Sequence, residues 1–170
     1  KIAVAAAVNG YQNVQVITGH THKVNNSIAA THYEHNSGAA CATWWWTGKN
    51  FPGIHIGQDG APGGYQIFEV SGTDFKWAFK PIGKDTDFQF RTYDRNQMTI
   101  TADKYMDASA DNTYKNAFNE LASTWSSTST DNEVYINIWN YDPQWKIEVT
   151  ENGTKLDVTK VTVYDPLHLV

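Results

Sequence analysis

A chain of 170 residues has the length of one domain, or of one domain and part of another. Hydrophobic residues make up 41% and charged residues 18%, and 7 Trp, 9 Tyr and 7 Phe supply bulky core material, which rules out collagen, coiled coil and a wholly disordered chain. Thirteen Lys and Arg against eighteen Asp and Glu leave a net charge of −5 with no basic block, so neither duplex nucleic acid nor an anionic membrane surface is expected as partner.

Ile2 to Val8 is a run of mostly alanine, too short for the ~20 residues that cross a bilayer, so no membrane span is expected there. It reads as the end of a helix, stopped by Asn9-Gly10, two residues that tolerate the left-handed conformation of a helix end. The chain is therefore expected to begin inside a longer structure. Val14 to Ile17 is β-branched and predicts a strand that feeds the polar loop Thr18-Gly19-His20-Thr21-His22. Asn25-Asn26-Ser27 reads as a turn, and Tyr33 to Thr43 as a buried strand whose small residues Gly38 to Ala42 admit another layer. Cys41 sits among them as a small hydrophobe; a single cysteine forms no internal disulfide and leaves the redox compartment open.

Thr47 to Gly64 holds six of the twelve glycines and two of the five prolines, a turn-rich connection that places a domain boundary near Gly48. Two units follow, residues 1–47 and 48–170. In the second the pattern has period two: Phe75, Trp77 and Phe79 alternate with Lys76, Ala78 and Lys80, and pair with Tyr65 to Val70 across Ser71-Gly72-Thr73-Asp74. Phe88 to Tyr93, Met98 to Thr101 and Val134 to Tyr141 are further predicted strands. Trp145, Ile147 and Val149 alternate with polar residues before Asn152-Gly153, a two-residue type I′ turn that leads into Lys155 to Val163. One helix interrupts the sheets, with Tyr114, Ala117, Phe118, Leu121 and Trp125 at helical spacing behind the cap Asp111-Asn112. The expected fold is mainly β, a sandwich-like domain with one helix.

Two histidines one residue apart, His20 and His22, suit a divalent ion if imidazoles are held together and carboxylates compensate the charge. Carboxylates are scarce nearby. In His32-Tyr33-Glu34-His35 a strand would put His32 and Glu34 on one face and His35 on the other, which builds no compact cluster, so a polar strand end stands as the blander reading. No phosphate-binding loop, dinucleotide fingerprint, serine elbow or zinc-protease helix occurs. Trp44-Trp45-Trp46 suits either a sugar-stacking platform or core packing.

Val16-Ile17-Thr18-Gly19-His20-Thr21-His22 resembles the last metal-binding motif, G-H-x-H, of the calcineurin-like metallophosphoesterases. The resemblance continues through Glu34-His35-Asn36 to Trp46, Asp59-Gly60-Ala61-Pro62-Gly63-Gly64-Tyr65, Asp74-Phe75-Lys76-Trp77, Asn137 to Lys146 and Asp165-Pro166-Leu167-His168. Together these segments are similar to the C-terminal domain that follows the catalytic domain in bacterial members. The resemblance implies that residues 1–47 are the last strands of a calcineurin-like domain, and that the chain is a piece of a phosphoesterase cut at both ends. It implies metal-assisted hydrolysis of a phosphoester at two divalent ions, Mn, Fe, Zn or Mg, with His20 and His22 each a ligand of a different ion. Gly19 would be glycine to avoid crowding the metals. The motifs D-x-H, G-D-x-x-D and G-N-H-[DE] that complete such a centre are absent from these 170 residues, so the rest of the catalytic domain is the expected upstream partner and the piece alone is expected to be inactive. A periplasmic or extracellular location is implied likewise. The rival reading takes residues 48–170 as a non-catalytic module that binds carbohydrate or another domain through aromatic faces.

Overall fold

Alanine carries the first element, α1 (Ile2–Ala7), and Gly10 at φ +93° forms its stop. The structure, a computed structural model, describes residues 2–39, 46–47 and 55–170. β1 (Gln15–Thr18), β2 (Asn25–Ile28) and β3 (Tyr33–Asn36) form a three-stranded sheet ordered β1-β3-β2, in which β3 runs parallel to β1 and antiparallel to β2. The polar run Asn25-Asn26-Ser27, expected as a turn, is thus a strand. Its polarity is satisfied inside the protein: the buried Asn26 amide donates to the carbonyl of Asn140 at 2.9 Å and to its side-chain oxygen at 3.0 Å. The strand expected from Tyr33 ends at Asn36. Cys41, Trp44, Trp45 and Gly48 lie outside the described residues.

β4 (Trp46–Thr47) pairs with β5 (His55–Ile56). β6 (Gly64–Ser71) and β7 (Asp74–Pro81) form the expected hairpin, in register from Gly64 opposite Pro81 to Ser71 opposite Asp74. One face of this hairpin packs on the three-stranded sheet: the rings of Trp77, Phe75 and Phe68 lie 4.6, 5.3 and 5.4 Å from His35. Ser37 Oγ also donates to Gln66 at 2.7 Å, so the segments on either side of residue 48 share a packed, hydrogen-bonded seam.

After β8 (Phe90–Asp94) the predicted strand Met98 to Thr101 does not form. Ile100 is buried there, and its N–H is taken by the Trp125 carbonyl at 2.7 Å, which leaves no strand neighbour to pair with. α2 (Ala102–Tyr105) and α3 (Asn112–Leu121) follow, the latter capped by Asp111, whose carboxylate accepts from the Thr113 N–H at 2.7 Å. Only part of the expected apolar stripe faces inward: Phe118 packs against the core, Trp125 is buried in the 3₁₀ turn Ser123–Trp125, and Tyr114 and Leu121 are exposed. β9 (Val134–Ile138) closes antiparallel on β8. One core gathers Tyr93, Ile100, Ala122, Trp125 and Val170, and a second gathers Ala61, Phe79 and Trp139.

β10 (Val149–Glu151) and β11 (Thr154–Leu156) flank Asn152 at φ +49° and Gly153 at φ +81°, the signs a type I′ turn requires. Their predicted extensions back to Trp145 and on to Val163 are absent; Val158 and Val161 stand exposed, with no layer over them to reward a longer ladder. α4 (Pro166–Leu169) is capped by Asp165 and has Pro at its start. The fold is mainly β, assembled from several small sheets.

Candidate functional site

Parallel pairing sets the C-terminal ends of β1 and β3 side by side, and the Gly19 to His22 loop leaves from that edge. Asn36, the last residue of β3, donates from its amide to Thr21 Oγ1 at 2.6 Å, and the Ser37 N–H donates to the Thr18 carbonyl at 2.8 Å. His20, Thr21, His22, Lys23, Asn36 and Gln58 line one open groove at this end of the sheet. His20 is exposed and His22 half-buried.

Both histidines occupy the left-handed region, at φ +77° and +61°. Among the described residues the other non-glycine residues with positive φ are all asparagines, Asn13, Asn132, Asn140 and Asn152, whose short polar side chain suits that conformation. Each left-handed histidine costs on the order of 1 kcal/mol, and such strain concentrates where a loop must present side chains in a fixed way. A Cβ built on Gly19 meets no atom within 4 Å, so no described residue of this chain demands glycine there.

The remaining histidines do not join the pair. His32 sits before β3, at the opposite end of the sheet from the loop, and its Nδ1 is bonded to Thr31 Oγ1 at 3.0 Å. His35 is fully buried, with Nδ1 2.9 Å from Asn26 Oδ1 and Nε2 2.8 Å from Gln15 Oε1. Burial pushes its pKa below the ordinary value, against the pull of Asp142. The Asn26 amide nitrogen is committed to Asn140 and Tyr141, so its oxygen accepts and His35 Nδ1 donates in that bond. His35 is a framework residue. Glu34 accepts from Thr18 Oγ1 at 3.1 Å across the parallel pair.

A second polar cluster escaped the sequence reading. Asp165 Oδ2 accepts from Tyr93 Oη at 2.8 Å and from the Asn137 amide at 2.6 Å, and its Oδ1 caps α4 through the Leu167 N–H at 2.9 Å. Asn137 also donates to the Asp59 carbonyl at 2.8 Å, and Arg91 to the Gly60 carbonyl at 2.9 Å. Burial, with Asp165 adding to it, holds the Tyr93 phenol above its ordinary range. The legible signals were the glycine-rich turn at Asp59 and the Asp165-Pro166 cap, but nothing in the sequence pairs them.

Two imidazoles in one groove form a donor set suited to divalent transition ions. Two imidazoles alone do not make a two-ion centre, since such a centre needs carboxylates to compensate charge. Among the described residues no three His, Cys, Asp or Glu come together. Among the tryptophans whose side chains are described, Trp77, Trp125 and Trp139 pack inward and Trp145 is exposed. No helix among the described residues is long and apolar enough to cross a membrane.

A family model described as the C terminal of calcineurin-like phosphoesterase matches residues 34–170, a span that begins after the histidine loop. No curated protein and no solved structure matches the chain.

Proposed function

Because the chain belongs to the family of C-terminal domains of calcineurin-like phosphoesterases, we propose that it closes a metal-dependent phosphoesterase in which His20 and His22 are metal ligands. The observation that carries this reading is the loop itself: both imidazoles are presented from left-handed residues into one groove at the end of a parallel strand pair. When bound, two divalent ions supply Lewis acidity towards the phosphoryl oxygens. The chain's own part is to present two imidazoles from a short loop and to seat that loop on the C-terminal domain. The remaining ligands, carboxylates among them, come in this reading from a catalytic domain upstream. Residues 1–47 then belong with that domain and residues 48–170 form the appended one.

The test is metal content. The intact enzyme that carries this chain, prepared in Mn²⁺, is expected to hold about two ions per chain, as a two-ion centre requires. His20→Ala and His22→Ala are each expected to lose at least one ion while Tm changes little, because neither substitution removes buried apolar surface. Undiminished metal content in both variants would exclude these residues as ligands.

A further inference from the structure

The loop that carries the histidines leaves β1 at Thr18 and returns as β2 at Asn25, and the central strand β3 lies between those two. The last residue of β3, Asn36, is in register with Thr18 on one side and with Asn25 on the other. Asn36 therefore stands at the mouth of the loop, opposite both of its ends. From there its amide donates to Thr21 Oγ1 at 2.6 Å, at the residue between the two imidazoles. Both ends of the loop are fixed independently of that bond. At the entry, the Ser37 N–H donates to the Thr18 carbonyl at 2.8 Å, and Ser37 Oγ donates to Gln66 at 2.7 Å. At the exit, Val24 packs against Ala61, Phe79 and Trp139, and a Cβ on Gly38 would lie 3.0 Å from Val24 Cγ2. With the ends held, what is left to set is the arch itself, residues 19 to 23, whose two histidines lie in the left-handed region at φ +77° and +61°. Left-handed non-glycine residues persist where surrounding contacts over-determine them, and the bond from Asn36 is such a contact, made from the sheet to the middle of the arch. Asn36, Thr21 and both histidines line the same groove, so the bond is made beside the imidazoles.

We propose that Asn36 is a positioning residue for the histidine pair: by holding the Thr21 hydroxyl it fixes the arch of the loop over the end of β3, and with it the direction from which His20 and His22 reach a metal ion. Thr21 is the other half of the device. The inference rests on the reading of His20 and His22 as metal ligands. Asn36 lies inside the span that the family model matches, and the histidines lie before it, so the matched part of the chain supports the loop it does not include.

The experiment measures Mn²⁺ affinity by calorimetric titration of the intact enzyme, with Tm as the control for folding. Asn36→Ala removes the donor, and Thr21→Val removes the acceptor while keeping the side chain's shape. Each is expected to weaken Mn²⁺ binding about 3- to 10-fold, the worth of one intramolecular hydrogen bond. Tm is expected to stay nearly unchanged in Thr21→Val, because Thr21 is exposed. Thr21→Ser keeps the hydroxyl and is expected to bind Mn²⁺ as the wild type does. The double variant Asn36→Ala, Thr21→Val is expected to bind no more weakly than either single one, since both substitutions delete the same bond. If Asn36→Ala fails to fold, Thr21→Val and Thr21→Ser carry the test. Wild-type affinity in Thr21→Val, with an ion lost in His20→Ala, would overturn the positioning role and leave the ligand reading intact; a loss confined to Asn36→Ala would do the same, since Asn36 would then act without Thr21. Additive losses in the double variant, or a loss in Thr21→Ser as large as in Thr21→Val, would overturn it too. Wild-type binding in both His20→Ala and His22→Ala would remove the ligand reading and this inference with it.

Discussion

His35 shows how a residue type associated with metal sites becomes framework. Its ring is enclosed by Tyr33, Phe68, Phe75 and Trp77, and both its nitrogens meet side-chain amides. Burial disfavours the imidazolium, so the folded protein protonates this ring at a lower pH than the unfolded chain does. As pH falls below about 6.5, the ordinary histidine value, the unfolded state takes up the proton first, binds more protons than the folded state, and stability falls. His168 is shifted the same way, by burial first, with Asp165 opposing and Lys23 adding to it, so the two act together. The thermal midpoint is expected to drop between pH 7.5 and 5.5, and His35→Phe is expected to flatten that slope while costing about 1 to 3 kcal/mol at pH 7.5, because Asn26 loses its partner. A midpoint independent of pH over this range would contradict the account. Gly60 makes a second residue-scale case. Gly60→Ala drives a Cβ into Asp165 and Asn137 at a left-handed position, and chemical denaturation is expected to show a loss of about 2 to 4 kcal/mol.

Among the elements, the two hairpins were the most legible. Period two in Phe75, Trp77 and Phe79 and the Asn152-Gly153 pair encode their register locally, and both turns form where expected. The second is testable: Gly153→Val forces a β-branched residue to φ +81° and is expected to cost about 1 to 2 kcal/mol in equilibrium unfolding, whereas an unchanged midpoint would mean that the turn relaxes freely. Elements set by distant partners were not legible. β2 is a strand because Asn140, over a hundred residues away, satisfies Asn26, and Met98 to Thr101 is not one because Trp125 takes the Ile100 N–H. The candidate site divides in the same way. The two histidines could be picked out by their spacing and their resemblance to G-H-x-H, but the left-handed backbone that presents them, and the packing of Val24 against Ala61, Phe79 and Trp139 just beyond them, exist only once separate segments meet.

At the scale of the whole molecule, the small sheets are joined by polar bonds across long sequence separations: Asn26 to Asn140, Ser37 to Gln66, Tyr93 and Asn137 to Asp165. The segment after the histidine loop is therefore anchored in the part of the chain that the family model covers. The account's central claim is that this chain brings two imidazoles, and no more, to a two-ion phosphoesterase centre. Its most direct test is paired hydrolysis of a chromogenic phosphoester, in Mn²⁺, by the 170-residue chain and by the intact enzyme that contains it. Two imidazoles without carboxylates hold no pair of ions at catalytic spacing, so the chain alone is expected to show no turnover. The intact enzyme is expected to be active, and to lose activity by orders of magnitude with His20→Ala or His22→Ala. Metal-dependent turnover by the 170-residue chain that disappears with His20→Ala, or full activity in an intact enzyme carrying both substitutions, would contradict it.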